Sequence, residues 1–170
     1  NGPTPETLRY MQEGRIDFGV VTSPVTGHEE VSVFPVRPIR DTFVAGYKFW
    51  EYKNRIIPLK ELADVPLICL EKNTSTRRYM DQFLKASGVL VHPEIELATS
   101  DMIVQFAKRN LGVASVVYDF AREALESGEL FELKIQKKIT ERSICIVQGS
   151  HATLSSAAQK LIELIREDIS

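Results

Sequence analysis

The sequence contains few cysteines, no long apolar run and little net charge. Its 170 residues include two cysteines, Cys69 and Cys145, and aliphatic residues flank both. Because free cysteine is among the most buried residue types, we expect two core thiols in a reducing compartment. The net charge of −2 gives no strong field that would draw the chain to nucleic acid or an anionic membrane. No apolar run reaches the length of about 18 residues that a helix needs to span a bilayer. The first residues do not resemble a signal peptide.

The motifs that mark common enzyme and metal sites are also missing. The three histidines, His28, His92 and His151, do not stand in a metal-spaced pair, and no glycine-rich phosphate loop occurs. A nucleophile needs a base within reach, and no such pairing can be read from the sequence. We therefore expect no enzymatic activity, no cofactor and no metal.

An alternation of strand and helix patterns runs along the whole chain. Hydrophobic residues make up 44% and charged residues 26%, which is typical of soluble globular proteins. Such alternation predicts parallel sheets with crossover helices. We expect residues Ala158, Leu161, Ile162 and Ile165 to form the buried stripe of the last helix. Strands are predicted at 16–21, 31–36, 42–46, 65–70, 94–97, 112–117, 130–135 and 142–148, and helices at 7–13, 58–62, 75–87, 100–110, 118–126 and 155–168.

Hydroxyl-bearing residues collect where predicted strands end. In open α/β sheets ligands bind outside the carboxyl ends of strands, and helix starts favour anions. The pattern therefore predicts a neutral polar socket for a carboxylate, sulfate or similar anion. Helix capping explains the same residues without a ligand, so both interpretations stay open. The residues are Thr22 and Ser23 after the first strand, Thr74, Ser75 and Thr76 before one helix, Thr99 and Ser100 before the next, and Ser150 before the last.

Two other features carry weaker signals. Arg77 begins a predicted helix beside the hydroxyl cluster, where it could reach an anion. The run 47–52, YKFWEY, is rich in aromatics. It suits plain packing better than a surface patch or a partner contact.

Several segments in fixed order resemble the effector-binding domain of LysR-type transcriptional regulators. Each motif is weak alone, and their order and spacing make the resemblance specific. The segments are LRYMQEGRIDFGV at 8–20, PLKELADVPLI at 58–68, NTSTR at 73–77 where the family often has GSGTR, NLGVA at 110–114, GEL at 128–130, and the closing helix at 155–165.

The resemblance implies an α/β fold like that of type 2 periplasmic binding proteins, with two Rossmann-like lobes joined by two crossover strands. It places residues 1–40 and 138–170 in the first lobe and residues 41–137 in the second. The family's domain opens with a further strand and helix, so we expect a first lobe that lacks its first strand and helix. The missing strand would leave unpaired sheet edges in the first lobe, and domains of this family generally associate side by side. Both points predict a homodimer or homotetramer.

The resemblance also implies a function. A small anionic effector would bind between the lobes through Thr22, Ser23 and the hydroxyls at 74–76 and 99–100. It would control DNA binding by a winged helix-turn-helix domain that this sequence lacks, in the cytoplasm and away from membranes. Two alternatives share the fold: a solute-binding protein of a transporter, and a small enzyme of prephenate-dehydratase type.

Overall fold

The computed structural model describes residues 4–25, 31–149 and 154–167. The chain divides into two compact units. Unit 1 comprises Asn1–Ile39 with Arg142–Ser170, and unit 2 comprises Arg40–Glu141. The chain therefore passes from one unit to the other twice. The lobe boundaries that the family resemblance implies stay a prediction.

The described residues form five α-helices, ten strands and two short 3₁₀ helices. The helices are α1 (Thr4–Gln12), α2 (Ser75–Ala86), α3 (Ser100–Lys108), α4 (Tyr118–Glu126) and α5 (Ser156–Glu167), with 3₁₀ turns at Tyr47–Tyr52 and Leu59–Ala63. The strands are β1 (Phe18–Thr22), β2 (Val31–Ile39), β3 (Asp41–Ala45), β4 (Ile56–Ile57), β5 (Leu67–Leu70), β6 (Ile95–Leu97), β7 (Val113–Val117), β8 (Phe131–Glu132), β9 (Lys134–Ile135) and β10 (Arg142–Gly149).

Unit 1 contains a three-stranded sheet in the order β1-β10-β2, and both pairings are antiparallel. The expectation of parallel pairing is wrong here, and the path of the chain explains why. Strand β2 leaves unit 1 at Ile39, and β10 enters it again at Arg142, directly opposite Ile39 in the register. An outgoing and a returning strand that pair side by side must run in opposite directions.

One face of this sheet packs against α1. Leu8 and Met11 lie one turn apart on α1 and are buried together with Val21, Cys145 and Val147. Spacing of three or four residues puts side chains on the same face of a helix, which is how an amphipathic helix covers a sheet. Helix α1 therefore covers one face of the sheet of unit 1.

The predicted stripe of α5 is only partly correct. Ala158 and Ile162 are buried, as expected for residues four apart on one face. Leu161 is 48% exposed, and Leu164, three residues further along, is 47% exposed. The apolar residues of α5 are thus divided between two faces, and a stripe read from periodicity alone merges them.

Unit 2 contains a five-stranded mixed sheet in the order β6-β5-β7-β3-β8. Strand β5 pairs in parallel with β6 and β7, whereas β3 is antiparallel to both β7 and β8. Along β5, Leu67 and Cys69 belong to one hydrophobic cluster, and Ile68 and Leu70 belong to another. Since successive side chains of a strand point to opposite faces, both faces of this sheet are covered.

Unit 2 differs from the predicted elements at 130–135, and the helix predicted at 58–62 is the 3₁₀ helix Leu59–Ala63. The strand expected at 130–135 is two short strands, because β8 pairs with β3 while β9 pairs with β4. The aromatic run forms the 3₁₀ helix Tyr47–Tyr52, of which Phe49 is buried and Tyr47 exposed. Trp50 is half exposed and packs edge-on against Phe131, with ring centroids 5.9 Å apart. Packing thus accounts for Phe49 and Trp50.

The NLGVA segment turns sharply from α3 into β7. Asn110 has a φ of 59°, a left-handed conformation that asparagine tolerates better than most residues. Its side-chain oxygen accepts the backbone N–H of Lys48 at 2.8 Å. A Cβ at Gly112 would stand 2.5 Å from the carbonyl oxygen of Pro66. Close approach between β7 and the entry to β5 therefore requires glycine at this position.

We predict that Ile68→Ala destabilises the protein by about 2–5 kcal/mol, the usual range for a large aliphatic residue truncated inside a packed core. Ile68 is fully buried in β5, which has a neighbouring strand on each side. Ile56→Ala is the matched control, because Ile56 also lies in a strand and is 68% exposed. Urea unfolding followed by circular dichroism measures both. Equal losses for the two variants would contradict this account of the core.

Candidate functional site

Three helices of unit 2 begin at the same edge of its sheet. Helices α2, α3 and α4 follow β5, β6 and β7, which run parallel to one another. Leu70 and Leu97 are register partners, and the N–H of Glu71 donates to the carbonyl of Leu97 at 3.1 Å. We call this edge, with the helix starts that follow it, the carboxyl edge. It collects five of the seven predicted site residues: Thr74, Ser75, Thr76, Thr99 and Ser100.

Thr74 caps the start of α2. Its hydroxyl oxygen accepts the backbone N–H of Arg77 at 3.2 Å, and its hydroxyl proton is donated to the carbonyl of Glu71 at 2.9 Å. A hydroxyl has only one proton to donate. Thr74 therefore shapes the helix start and leaves donation to an anion to its neighbours. The sequence left capping and ligand binding both open for this residue, and its observed contacts are those of a cap.

The start of α3 offers a different arrangement. The hydroxyl of Thr99 accepts the N–H of Met102 at 3.4 Å, a long bond that caps the helix weakly. The half-buried Ser100 makes no side-chain hydrogen bond to any residue that the structure describes. Ser75 is half-buried and Thr76 buried at the neighbouring start of α2. Hydroxyl donors thus lie beside the positive ends of two helix dipoles, a setting that favours anions.

Arg77 does not extend towards an anion as the sequence suggested. Its side chain is 4% exposed, and its Nε lies 2.9 Å and 3.0 Å from the two carboxylate oxygens of Asp81. One terminal nitrogen reaches the carbonyl of Leu70 at 2.8 Å and Oε1 of Glu96 at 3.1 Å. Burial lowers the pKa of Arg77, but the hydrogen bonds of Asp81 and Glu96 outweigh it and leave the pKa above its ordinary value.

A second arginine at the carboxyl edge is also paired. Arg40 precedes β3, whose first residue lies opposite the last residue of β7. Its guanidinium pairs with Glu132, which also accepts the hydroxyl of Thr42 at 2.6 Å, and it stacks 4.1 Å from the ring centroid of Tyr118. The hydrogen bond to Glu132 raises the pKa of Arg40. Neither of these two arginines presents an unpaired charge.

The helix predicted at 118–126 is present as α4, but its start was not identified as part of the candidate site, because the sequence analysis looked for hydroxyl-rich junctions. Its first residue is Tyr118, and Val117 before it has no capping side chain. The N–H of Tyr118 donates instead to the carbonyl of Arg40 at 2.8 Å. A strand-to-helix junction after a buried apolar run was the available signal, and hydroxyl content alone did not reveal it.

Thr22 and Ser23 belong to unit 1, at the end of β1. Thr22 is half-buried and is the register partner of Ile144. The hydroxyl of Ser23 accepts the N–H of Ser143 at 2.8 Å, and the carbonyl of Ser23 accepts a guanidinium N–H of the buried Arg142 at 3.3 Å. The side chain and the backbone carbonyl of Ser23 are thus each bonded to a residue of β10, Ser143 and Arg142 respectively. A shared site with the residues of unit 2 stays a prediction.

Unit 2 also contains cavities that the predicted hydroxyls do not line. One of about 340 Å³ lies between α2 and residues 89–96, and Arg77, Asp81 and Glu96 line it together with Lys85 and His92. Another lies beside Pro58–Lys60 and Gln136. Neither is lined by any of the seven predicted site residues.

The remaining candidates are the histidines, the last hydroxyl and possible metal ligands. Ser150, His151 and His28 lie outside the described residues. Over residues 4–25, 31–149 and 154–167, no group of three or more His, Cys, Asp or Glu is arranged to hold a metal ion. The helices described for this chain are too short or too polar to cross a membrane.

A model of the LysR substrate binding domain matches residues 1–170. The chain belongs to this family. The resemblance seen in the sequence motifs is therefore confirmed, and with it the fold like that of type 2 periplasmic binding proteins. The relatives are transcriptional regulators, a role that is not enzymatic.

Among the relatives is the HTH-type transcriptional regulator SsuR of Burkholderia cenocepacia, 24% identical over 140 residues. The match covers 77% of this chain and 45% of SsuR, so the chain spans about half the length of the regulators it matches. The regulatory domain of CcmR from Synechocystis PCC6803, solved in complex with 2-PG, has a TM-score of 0.84 at 18% identity, covering 99% of this chain and 80% of that one.

The effector-binding domain of QuiR, solved in complex with shikimate, has a TM-score of 0.81 at 14% identity. That comparison covers 99% of this chain and 78% of the QuiR domain. At these identities the structural likeness concerns the fold.

We predict that Thr74→Ala lowers the free energy of unfolding by about 1 kcal/mol, the typical cost of losing a helix cap. Thr74→Ser keeps the capping oxygen and should retain most of the stability. Thr140→Ala is the control, because Thr140 is exposed and only its carbonyl is used, by the hydroxyl of Tyr79 at 2.8 Å. Chemical unfolding of the three variants gives the result, and a Thr74→Ala variant as stable as Thr140→Ala would refute the capping role.

We also predict that both thiols resist labelling in the folded protein. Burial raises the pKa of Cys69 to about 12 and raises the pKa of Cys145 as well. A thiol is neutral below its pKa, and the thiolate is the reactive form, so at about pH 8 the native protein should react slowly with DTNB. Both thiols should react at once in guanidinium chloride. Rapid labelling of one thiol in native buffer would contradict this burial.

Proposed function

We propose that this chain is the effector-sensing domain of a LysR-type regulator, and that unit 2 contributes the carboxyl edge to the effector site. The observation that supports this most directly is the parallel register of β5 and β6. This register brings the hydroxyl-bearing starts of α2 and α3 together. The family to which the chain belongs is described as a substrate binding domain. The CcmR and QuiR domains, which share the fold, were solved with 2-PG and shikimate.

The chemistry of the carboxyl edge favours an anion held by neutral donors. Helix starts carry partial positive charge, and Thr99 and Ser100 add hydroxyls beside it. Arg77 and Arg40 are already paired with carboxylates. A carboxylate, sulfate or similar group fits such a site, because it needs several hydrogen-bond donors and gains little from a distant, neutralised cation.

The effector would act on the rest of the regulator through unit 1. In this proposal Thr22 and Ser23 complete the site, and the effector favours one arrangement of the two units over another. A ligand shifts such an equilibrium only by its difference in affinity for the two arrangements. The regulator would act in the cytoplasm as a homodimer or homotetramer and bind DNA through a helix-turn-helix domain, as the naming of its relatives suggests.

A transporter's solute-binding protein and a small enzyme of the same architecture are the alternatives. The regulator relatives favour the first proposal over both. Turnover of a bound candidate substrate would establish the enzyme alternative, and an export signal in the full-length gene product would establish the transporter alternative.

We predict that the domain binds at least one anion of a panel containing bromide, sulfate, phosphate, shikimate and 2-PG, and that Ser100→Ala weakens that binding about three- to tenfold, the range for one lost hydrogen bond. Thr22→Val should weaken it as well. Thr140→Ala serves as the control. Isothermal titration calorimetry measures each affinity. An unchanged affinity in Ser100→Ala would remove the carboxyl edge from the site.

A further inference from the structure

The side chain of Arg77 connects three elements that meet at the carboxyl edge. It bonds to Asp81 four residues along α2, to the carbonyl of Leu70 that ends β5, and to Glu96 inside β6. Glu96 stands three residues before Thr99, which caps α3. One buried guanidinium thus bonds to α2, to the end of β5 and to β6, the strand that leads into α3.

The bonds of Arg77 to its own carboxylates argue against it as the attracting pole of an anion site. The guanidinium of Arg77 is bonded to two carboxylates, those of Asp81 and Glu96. The cavity that these three residues line is also lined by Lys72, Lys85 and His92. The arginine side chain is 4% exposed, while those of Asp81 and Glu96 are 44% and 35% exposed. Solvent and any bound molecule therefore meet the acids more readily than the base.

We propose that Arg77 is a positioning residue for the effector site, which fixes the start of α2 against the ends of β5 and β6 without touching the effector. The proposal rests on the proposed function, because it assigns a role at that same site. By holding Leu70 and Glu96 together, Arg77 sets the spacing between the hydroxyls at 74–76 and those at 99–100. The carboxylates of Asp81 and Glu96 share this positioning role, since they keep the guanidinium of Arg77 turned inward.

The geometry of this cluster suits arginine and not lysine. A guanidinium is planar and presents donors in several fixed directions, so it serves a helix carboxylate, a strand carbonyl and a second carboxylate from one buried point. An ammonium at the end of a flexible stem cannot hold the same three acceptors in the same plane. Arg77→Lys therefore keeps the charge and removes the positioning.

The two roles that Arg77 could play predict opposite effects of its partners. If the guanidinium bound the effector directly, Asp81→Asn or Glu96→Gln would free it and strengthen anion binding. If Arg77 positions the helix start, the same substitutions loosen the start and weaken anion binding, although they remove negative charge near the site. The sign of the change therefore separates positioning from direct contact.

The experiment measures anion affinity by calorimetry in Arg77→Lys, Asp81→Asn and Glu96→Gln, using the panel anion that the unmodified domain binds most tightly. We expect each variant to bind about three- to tenfold more weakly, the effect typical of residues that act through neighbouring contacts. Arg55→Lys and Glu61→Gln are the controls, because this exposed pair also lies in unit 2. Tighter binding in Asp81→Asn or Glu96→Gln, or unchanged binding in Arg77→Lys, overturns the proposal.

Amide hydrogen exchange of the unliganded variants provides a readout that does not depend on any effector. We expect faster exchange within residues 71–78 and 97–103 in Arg77→Lys, Asp81→Asn and Glu96→Gln, and unchanged exchange there in the two controls. Unchanged exchange in all three variants overturns the proposal. If no panel anion binds the unmodified domain, the proposed function fails for that panel and the exchange result alone decides the role of Arg77. Asp81→Asn and Glu96→Gln alter partly exposed side chains, so they keep the test valid should Arg77→Lys fail to fold.

Discussion

The parallel pairing of β5 with β6 and β7 is the constraint on which the candidate site depends. Parallel strands present their carboxyl ends at one edge, so the helices that follow them must begin there together. Burial on both faces fixes this register. Leu67 belongs to the hydrophobic cluster on one face of the sheet and Ile68 to the cluster on the other, and a slip of one residue would move each side chain to the wrong face. Core packing in unit 2 therefore determines where the hydroxyls of α2 and α3 lie.

Local charge pairing then decides what this edge can bind. The side chains of Arg77 and Arg40 each bond to carboxylates of their own unit, so hydroxyls and helix starts become the main groups of this edge that we propose for a guest. Such donors discriminate among anions by shape and hydrogen-bond geometry more than by total charge. The position of each hydroxyl therefore matters more here than it would beside an unpaired cation, which explains the importance we assign to a rigid start of α2.

The sequence was most informative where function and local structure share a signal. Hydroxyls before helices identify the starts of α2 and α3 whether they cap or bind, and Thr74 was identified even though its own contacts are those of a cap. The NLGVA motif was recognised as a family feature, and the close approach of Gly112 to Pro66 now gives its physical reason. Most strand and helix positions of unit 2 could be predicted from the spacing of apolar residues, because the helices of unit 2 bury one face each against its sheet.

Contacts between distant residues could not be predicted from the sequence. The bond of Arg77 to Asp81 has helical spacing, but its bond to Glu96 exists only because β5 and β6 are neighbours. The antiparallel sheet of unit 1 depends on a strand that returns after a whole unit, and the exposure of Leu161 depends on what α5 covers. These are consequences of tertiary structure, which propensity and pattern do not contain.

A crystal structure of the domain with its tightest panel anion is the most direct test of the central claim. The account predicts density for the anion at the carboxyl edge, within hydrogen-bond distance of Ser100 and of the start of α2, with Arg77 still bonded to Asp81 and Glu96. An anion found instead in the cavity beside Lys85 and His92, or bound by a guanidinium of Arg77 that has left its carboxylates, would contradict it.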